Sequence, residues 1–136
     1  AMFFSCLGSL GEQLASGAMP DDPRDALRAL AGRYRAFIVE HPALAAVMFS
    51  RPFVSFNPAP NEQAAGAAVR ELILRAVQAA IDAGELRGDA TDIAHAYVAL
   101  IHGLAAAESS RRLGRTDAAV QRRWDAAVRA LLAGFA

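Results

Sequence analysis

Apolar residues recur at three- and four-residue steps along nearly the whole chain. Nowhere do they alternate with the period of two that a half-buried strand requires. That spacing, with the punctuation between runs, predicts six helices. The first covers about residues 2–16, with Phe3, Leu7, Leu10 and Leu14 on one face. Its glycines, Gly8 and Gly11, each cost about 1 kcal/mol against alanine, so it depends on tertiary support. The second starts at Asp22-Pro23: Asp22 is placed to cap, Pro23 fits the first turn, and Asp25 stands at the capping-box position. Leu27, Leu30, Tyr34, Phe37, Ile38 and His41 form its continuous apolar face. His41-Pro42 ends or bends it, because the residue before proline avoids the helical region. A short third helix is expected over 43–50.

Residues 51–60 hold three of the six prolines and two of the seven phenylalanines. An irregular connection this aromatic serves as a lid or binding element more often than as a spacer. The fourth helix starts near Asn61 and stops before Gly84, a natural left-handed cap. Asp89 with Asp92 starts the fifth, expected to run to Gly114. Thr116 or Asp117 caps the sixth, whose inward positions are Val120, Trp124, Ala127, Val128, Leu131, Leu132 and Phe135. The expected architecture is all-α, one helical bundle over residues 1–136.

Composition agrees with the pattern. The chain has 136 residues, 33 of them alanine, the best helix former. Its hydrophobic fraction of 54% excludes a disordered chain. Fourteen arginines, with no lysine, balance fourteen acids. A domain that binds nucleic acid by itself is usually strongly basic, so this neutral chain is expected not to do so alone. One cysteine, Cys6, excludes an internal disulfide framework and suggests an intracellular protein. No apolar run is long enough to span a membrane. The apolar start lacks a basic region and carries Glu12, unlike a signal peptide.

The fifth helix carries two apolar faces. Ile93, Tyr97, Leu100, Ile101 and Leu104 are bulky, whereas Ala96, Ala99, Gly103, Ala107, Ser110 and Gly114 are small. Small residues let helices approach closely, so a homodimer is expected through the two last helices, residues 90–136, as a four-helix bundle. Its candidate interface is Ala99, Gly103, Ala107, Ser110, Trp124, Val128, Leu131, Leu132 and Phe135. Packing within the same chain would use the stripe equally well.

Little points to catalysis. His95 and His102 lie seven residues apart, about 10.5 Å along a helix, too far to share one metal. Gly8-Ser9-Leu10-Gly11 misses the spacing of a nucleophile elbow, and no glycine loop follows a strand. Neither an enzyme nor a cofactor or metal site is expected. Tyr34, Phe37, His41, Phe49, Phe53, Phe56, Tyr97, Ile101 and His102 are the candidates for a small-molecule pocket, an apolar cavity with a few polar groups. Plain core would produce the same spacing. Arg111, Arg112, Arg115, Arg122 and Arg123 are the one basic concentration, expected as a solvated group at a helix end.

The order of these stretches resembles the C-terminal regulatory domain of the TetR family of transcriptional repressors. Asp22-Pro23 through Ala31, then Tyr34-Arg35-Ala36-Phe37 and Glu40-His41-Pro42-Ala43-Leu44, is similar to the helix pair that opens that domain. Met48-Phe49 follows in place, and Ala83-Gly84-Glu85-Leu86-Arg87 resembles the turn before the family's penultimate long helix. Ala99-Leu100-Ile101-His102-Gly103-Leu104-Ala105 resembles the centre of that helix in a subset marked by Trp-His-Gly, with Ile101 in the place of the tryptophan. Residues 2–16 look like the family's connecting helix. The resemblance implies a cytoplasmic homodimer whose small, apolar effector releases it from operator DNA. DNA would be contacted only through a helix-turn-helix unit that this chain does not contain. A standalone helical dimerisation or adaptor module without a ligand is the alternative.

Overall fold

A computed structural model describes residues 2–43, 45–46 and 60–136, with the side chains of 2–7, 9 and 60–66 excepted. Five helices are described: α1 (Met2–Ala15), α2 (Pro23–Glu40), α3 (Pro60–Asp82), α4 (Ala90–Ser109) and α5 (Asp117–Gly134). No strand occurs among the described residues. The third helix expected over 43–50 lies largely outside them, as do the structures of Phe49, Phe53 and Phe56 and the side chains of Phe3 and Leu7. Residues 42–43 and 45–46 are helical, and the Ala45 N–H donates to the His41 carbonyl at 2.9 Å.

Helix α2 is the centre of the bundle and packs against all four others. That position explains its wide buried face of Leu27, Leu30, Ala31, Tyr34, Arg35, Phe37 and Ile38. Complete burial of Phe37 alone contributes about 1.5–3 kcal/mol relative to exposure. Helix α1 lies across α2 and α3, with Leu10 and Leu14 in the core. Arg33 of α2 closes the end of α1, donating to the carbonyls of Leu14 at 2.9 Å and Ala18 at 2.6 Å. Gly17, at φ 73°, makes the turn there.

The helix starts form as expected. The side chains of Asp22, Asp89 and Thr116 accept from the N–H groups of Asp25, Asp92 and Ala119 at 3.1, 2.9 and 3.1 Å. Gly84 ends α3 at φ 76°, its N–H donating to Ile81 while that of Glu85 reaches Ala80. This is a Schellman turn, and it satisfies two carbonyls that the helix end leaves open.

Helix α4 stops at Ser109, five residues short of the expected Gly114. Arg111 takes the left-handed conformation, φ 60°, and its N–H donates to Glu108 while that of Arg112 reaches Ala107. A second Schellman turn thus forms on a residue type that rarely supplies one.

One polar cluster ties α2 to the α4–α5 corner. Arg35 donates its Nε and Nη2 to the two oxygens of Glu108 at 2.9 and 3.0 Å. It also reaches Asp117 at 2.8 Å and the Gln121 side-chain oxygen. Trp124 adds its indole N–H to Glu108 at 2.8 Å. The Glu108 carboxylate, more than burial opposes, holds the guanidinium above its usual pKa.

Candidate functional site

A surface groove of about 580 Å3 runs between α3 and α4. Ala67, Arg70, Glu71 and Leu74 recur at helical steps on the α3 side, with Ile73 beneath them. Thr91, Ala94, His95, Val98, Ala99 and His102 form the α4 wall. Its volume falls in the range of small-molecule sites, and its lining has their usual character, apolar with a few polar groups. Val98 is 37% exposed, unusual for a large apolar residue in the middle of a helix. Glu71 is paired along α3 with Arg75 at 3.3 Å.

His95 brings a defined polar atom to this wall. Its Nδ1 lies 2.8 Å from the Thr91 carbonyl, which can only accept, so Nδ1 carries the proton. In the neutral ring Nε2 is then an acceptor.

Of the six described pocket candidates, four share one core cluster and one faces the groove. Tyr34, Phe37, Tyr97 and Ile101 are buried in the core, and none of them lines the groove. The Tyr97 hydroxyl donates to the Leu27 carbonyl at 2.7 Å, a tie between α4 and α2. Burial pushes its pKa far up, and pushes that of Tyr34 up to about 12, so both stay neutral. His41 is half-buried at the end of α2, its ring centroid 4.9 Å from that of Phe37. Of the described candidates, only His102 faces the groove. An amphipathic face states which way side chains point, not whether the space they enter is filled or hollow. The groove walls carry no sequence signature beyond half-exposed apolar residues on α3.

The expected interface divides similarly. Trp124, Val128 and Leu132 are buried in this chain's own core, and Leu131 and Phe135 pack partly against it. Ala99, Gly103 and Ser110 are exposed, and Ala107 is half-buried. A Cβ on Gly103 would meet nothing within 4 Å among the described residues, which do not use that close approach.

A second group of titratable residues lies at the start of α2. The Arg24 N–H donates to Glu85 at 3.0 Å while Asp22 accepts from Asp25. A hydrogen bond between the two carboxyls holds Asp22 below its ordinary value and Glu85 above. Both act as caps, which accounts for the pairing without catalysis. Among the described residues, no three or more His, Cys, Asp or Glu side chains gather as a metal site. No helix among them is long and apolar enough to cross a membrane.

Comparison with known proteins places these features in one family. No curated protein matches the sequence. The solved structure of a protein of unknown function from Rhodococcus sp. RHA1 matches with a TM-score of 0.84 and 30% identity, over 99% of this chain and 70% of that one. The profile described as "Tetracyclin repressor-like, C-terminal domain" matches residues 27–131. With most of its length matched in this way, and with α2 at the centre of an all-helical bundle, the chain belongs to the tetracycline repressor-like C-terminal domain family.

Proposed function

We propose that this chain is the effector-binding and dimerisation domain of a transcriptional repressor, and that the α3–α4 groove is where the effector binds. The carrying observation is the groove itself: an apolar trough of small-molecule size, with His95 and His102 as polar points. The effector is a small, mostly apolar molecule, and a hydroxyl or other donor on it pairs with the accepting Nε2 of His95. Operator DNA is contacted by a helix-turn-helix unit outside this chain, and the protein acts in the cytoplasm as a homodimer.

The route from groove to DNA runs through α3. One side of α3 forms a groove wall, and another carries α1, where a Cβ on Gly11 would sit 3.6 Å from Val69 Cγ2. A ligand that displaces α3 therefore changes the seat of α1. In a dimeric repressor, α1 sets the separation of two recognition helices, which must match a DNA turn of about 34 Å. Moving such a switch decisively takes differential affinity of up to about 5.5 kcal/mol between the two states.

A thermal-shift screen with apolar alcohols, phenols and their methyl ethers tests the site. Binding at a hundredfold excess over Kd stabilises by about 2.7 kcal/mol, a shift of several degrees. The Val98→Glu variant places a charge in the groove from an already exposed position, so it should melt near the wild type yet lose the ligand shift. Shifts that survive Val98→Glu would move the site elsewhere. Silence across the panel would return the reading to a helical adaptor.

A further inference from the structure

Four arginines from two elements line one concavity of about 700 Å3: Arg111, Arg112 and Arg115 of the α4–α5 turn, and Arg123 of α5. No carboxylate is among the lining residues. The nearby acids Glu108 and Asp117 are already held by Arg35. Among the described residues none of the four arginines has a carboxylate partner.

Helix-end electrostatics do not account for the group. Arg111 and Arg112 follow the C-terminus of α4, where cations are favoured. Arg115 instead directly precedes Thr116, the N-cap of α5, and there the positive end of the helix opposes a cation. Arg123 is fixed from the far side, its Nη1 donating to the Leu113 carbonyl at 2.7 Å. That hold requires Gly114, since a Cβ there would sit 2.6 Å from Nη1. The result is a cradle of permanently charged groups that no carboxylate among the described residues neutralises.

We propose that this cradle binds a small polyphosphate anion, the free di- or triphosphate group of a nucleotide or an inorganic polyphosphate. Guanidinium forks match phosphate oxygens in bidentate geometry, and a triphosphate carries a charge close to that of four arginines. A single carboxylate does not. The site is confined to the α4–α5 turn and the adjoining part of α5, and the remaining ten arginines face fourteen acids, so a long nucleic acid would meet a net acidic surface beyond it. None of its residues lines the α3–α4 groove, and the proposal stands independently of the effector reading.

The test is isothermal titration calorimetry of the 136-residue chain with sodium tripolyphosphate, beside the Arg112→Gln/Arg115→Gln variant. Both side chains are exposed and hold no described partner, so the variant should keep the wild-type melting point. Saturable binding is expected, weakening with added salt and falling at least about tenfold in the variant. Equal affinity in both proteins, or no saturable heat in the wild type, overturns the proposal. So does citrate binding as tightly as tripolyphosphate, which would mark a general anion patch. Tighter binding, per phosphate, of a duplex of about 20 base pairs would assign the cradle to a nucleic-acid backbone instead.

Discussion

Arg35 shows how one side chain orders several helices. Its guanidinium is nearly buried, and its bonds to Glu108, Asp117 and Gln121 leave it well satisfied. Breaking a buried ion pair from one side costs more than the pair contributes, because the other charge stays behind. Arg35→Met should therefore lower stability by about 3 kcal/mol in urea denaturation, near the small end of the range because Glu108 keeps some solvent and the Trp124 N–H. Arg35→Met/Glu108→Leu should recover most of that loss. A double variant as unstable as the single one would show that the cluster matters through packing rather than charge. Arg111 is the converse case, a residue whose conformation the chain tolerates. Its left-handed backbone is also why the end of α4 was illegible: glycine at 114 advertised a stop, whereas arginine at 111 advertised nothing.

Helix α2 is capped twice, by Asp22 from its own chain start and by Glu85 from the α3–α4 turn. The opposite pKa shifts of the two carboxyls give the cap a pH dependence of known sign. Asp22 has its folded pKa depressed, chiefly by Glu85 and then by the Asp25 N–H, so its contribution is complete above 3.8 and lost as pH falls through the folded value. Glu85 has its folded pKa raised, chiefly by the bond to Asp22, so its contribution is complete below 4.5 and lost as pH rises through the folded value. Both are whole between pH 3.8 and 4.5. The melting-point difference between wild type and Glu85→Gln should peak in that window. A difference that grows steadily toward neutral pH would contradict a raised Glu85. The sequence announced Asp22 through its proline and Asp25, but Glu85 lies 61 residues from the N–H it caps, beyond any local pattern.

The bundle as a whole was legible because the starts of α2, α4 and α5 and the Gly84 stop have local chemical causes. The groove was not, because Ile73, Leu74 and Val98 become a wall only once α3 and α4 lie side by side. Tyr97 and Phe37 lie in the core, and their spacing could not say so in advance, since core and pocket share one periodicity. The proposed dimerisation belongs to the whole molecule too. Ala99, Gly103 and Ser110 offer a small, exposed face that the described residues leave open. If the proposed dimer uses this face, Gly103→Arg should keep its helix content, since its Cβ meets nothing, yet reduce the mass by light scattering from twice 14.3 kDa to that of one chain and lower the melting point by the partner's share. A variant that keeps the doubled mass would place the interface elsewhere.

The indole that donates to Glu108 belongs to the one tryptophan of the chain. Its ring is buried at the junction of α2, α4 and α5, so the intrinsic fluorescence of this protein comes with a fixed address. An emission change reports the loosening of that junction, whether by heat, denaturant or an anion at the neighbouring turn. A molecule entering between α3 and α4 registers there only if its effect travels across α4. The protein thus carries its own probe of whether a local binding event becomes a rearrangement of the bundle.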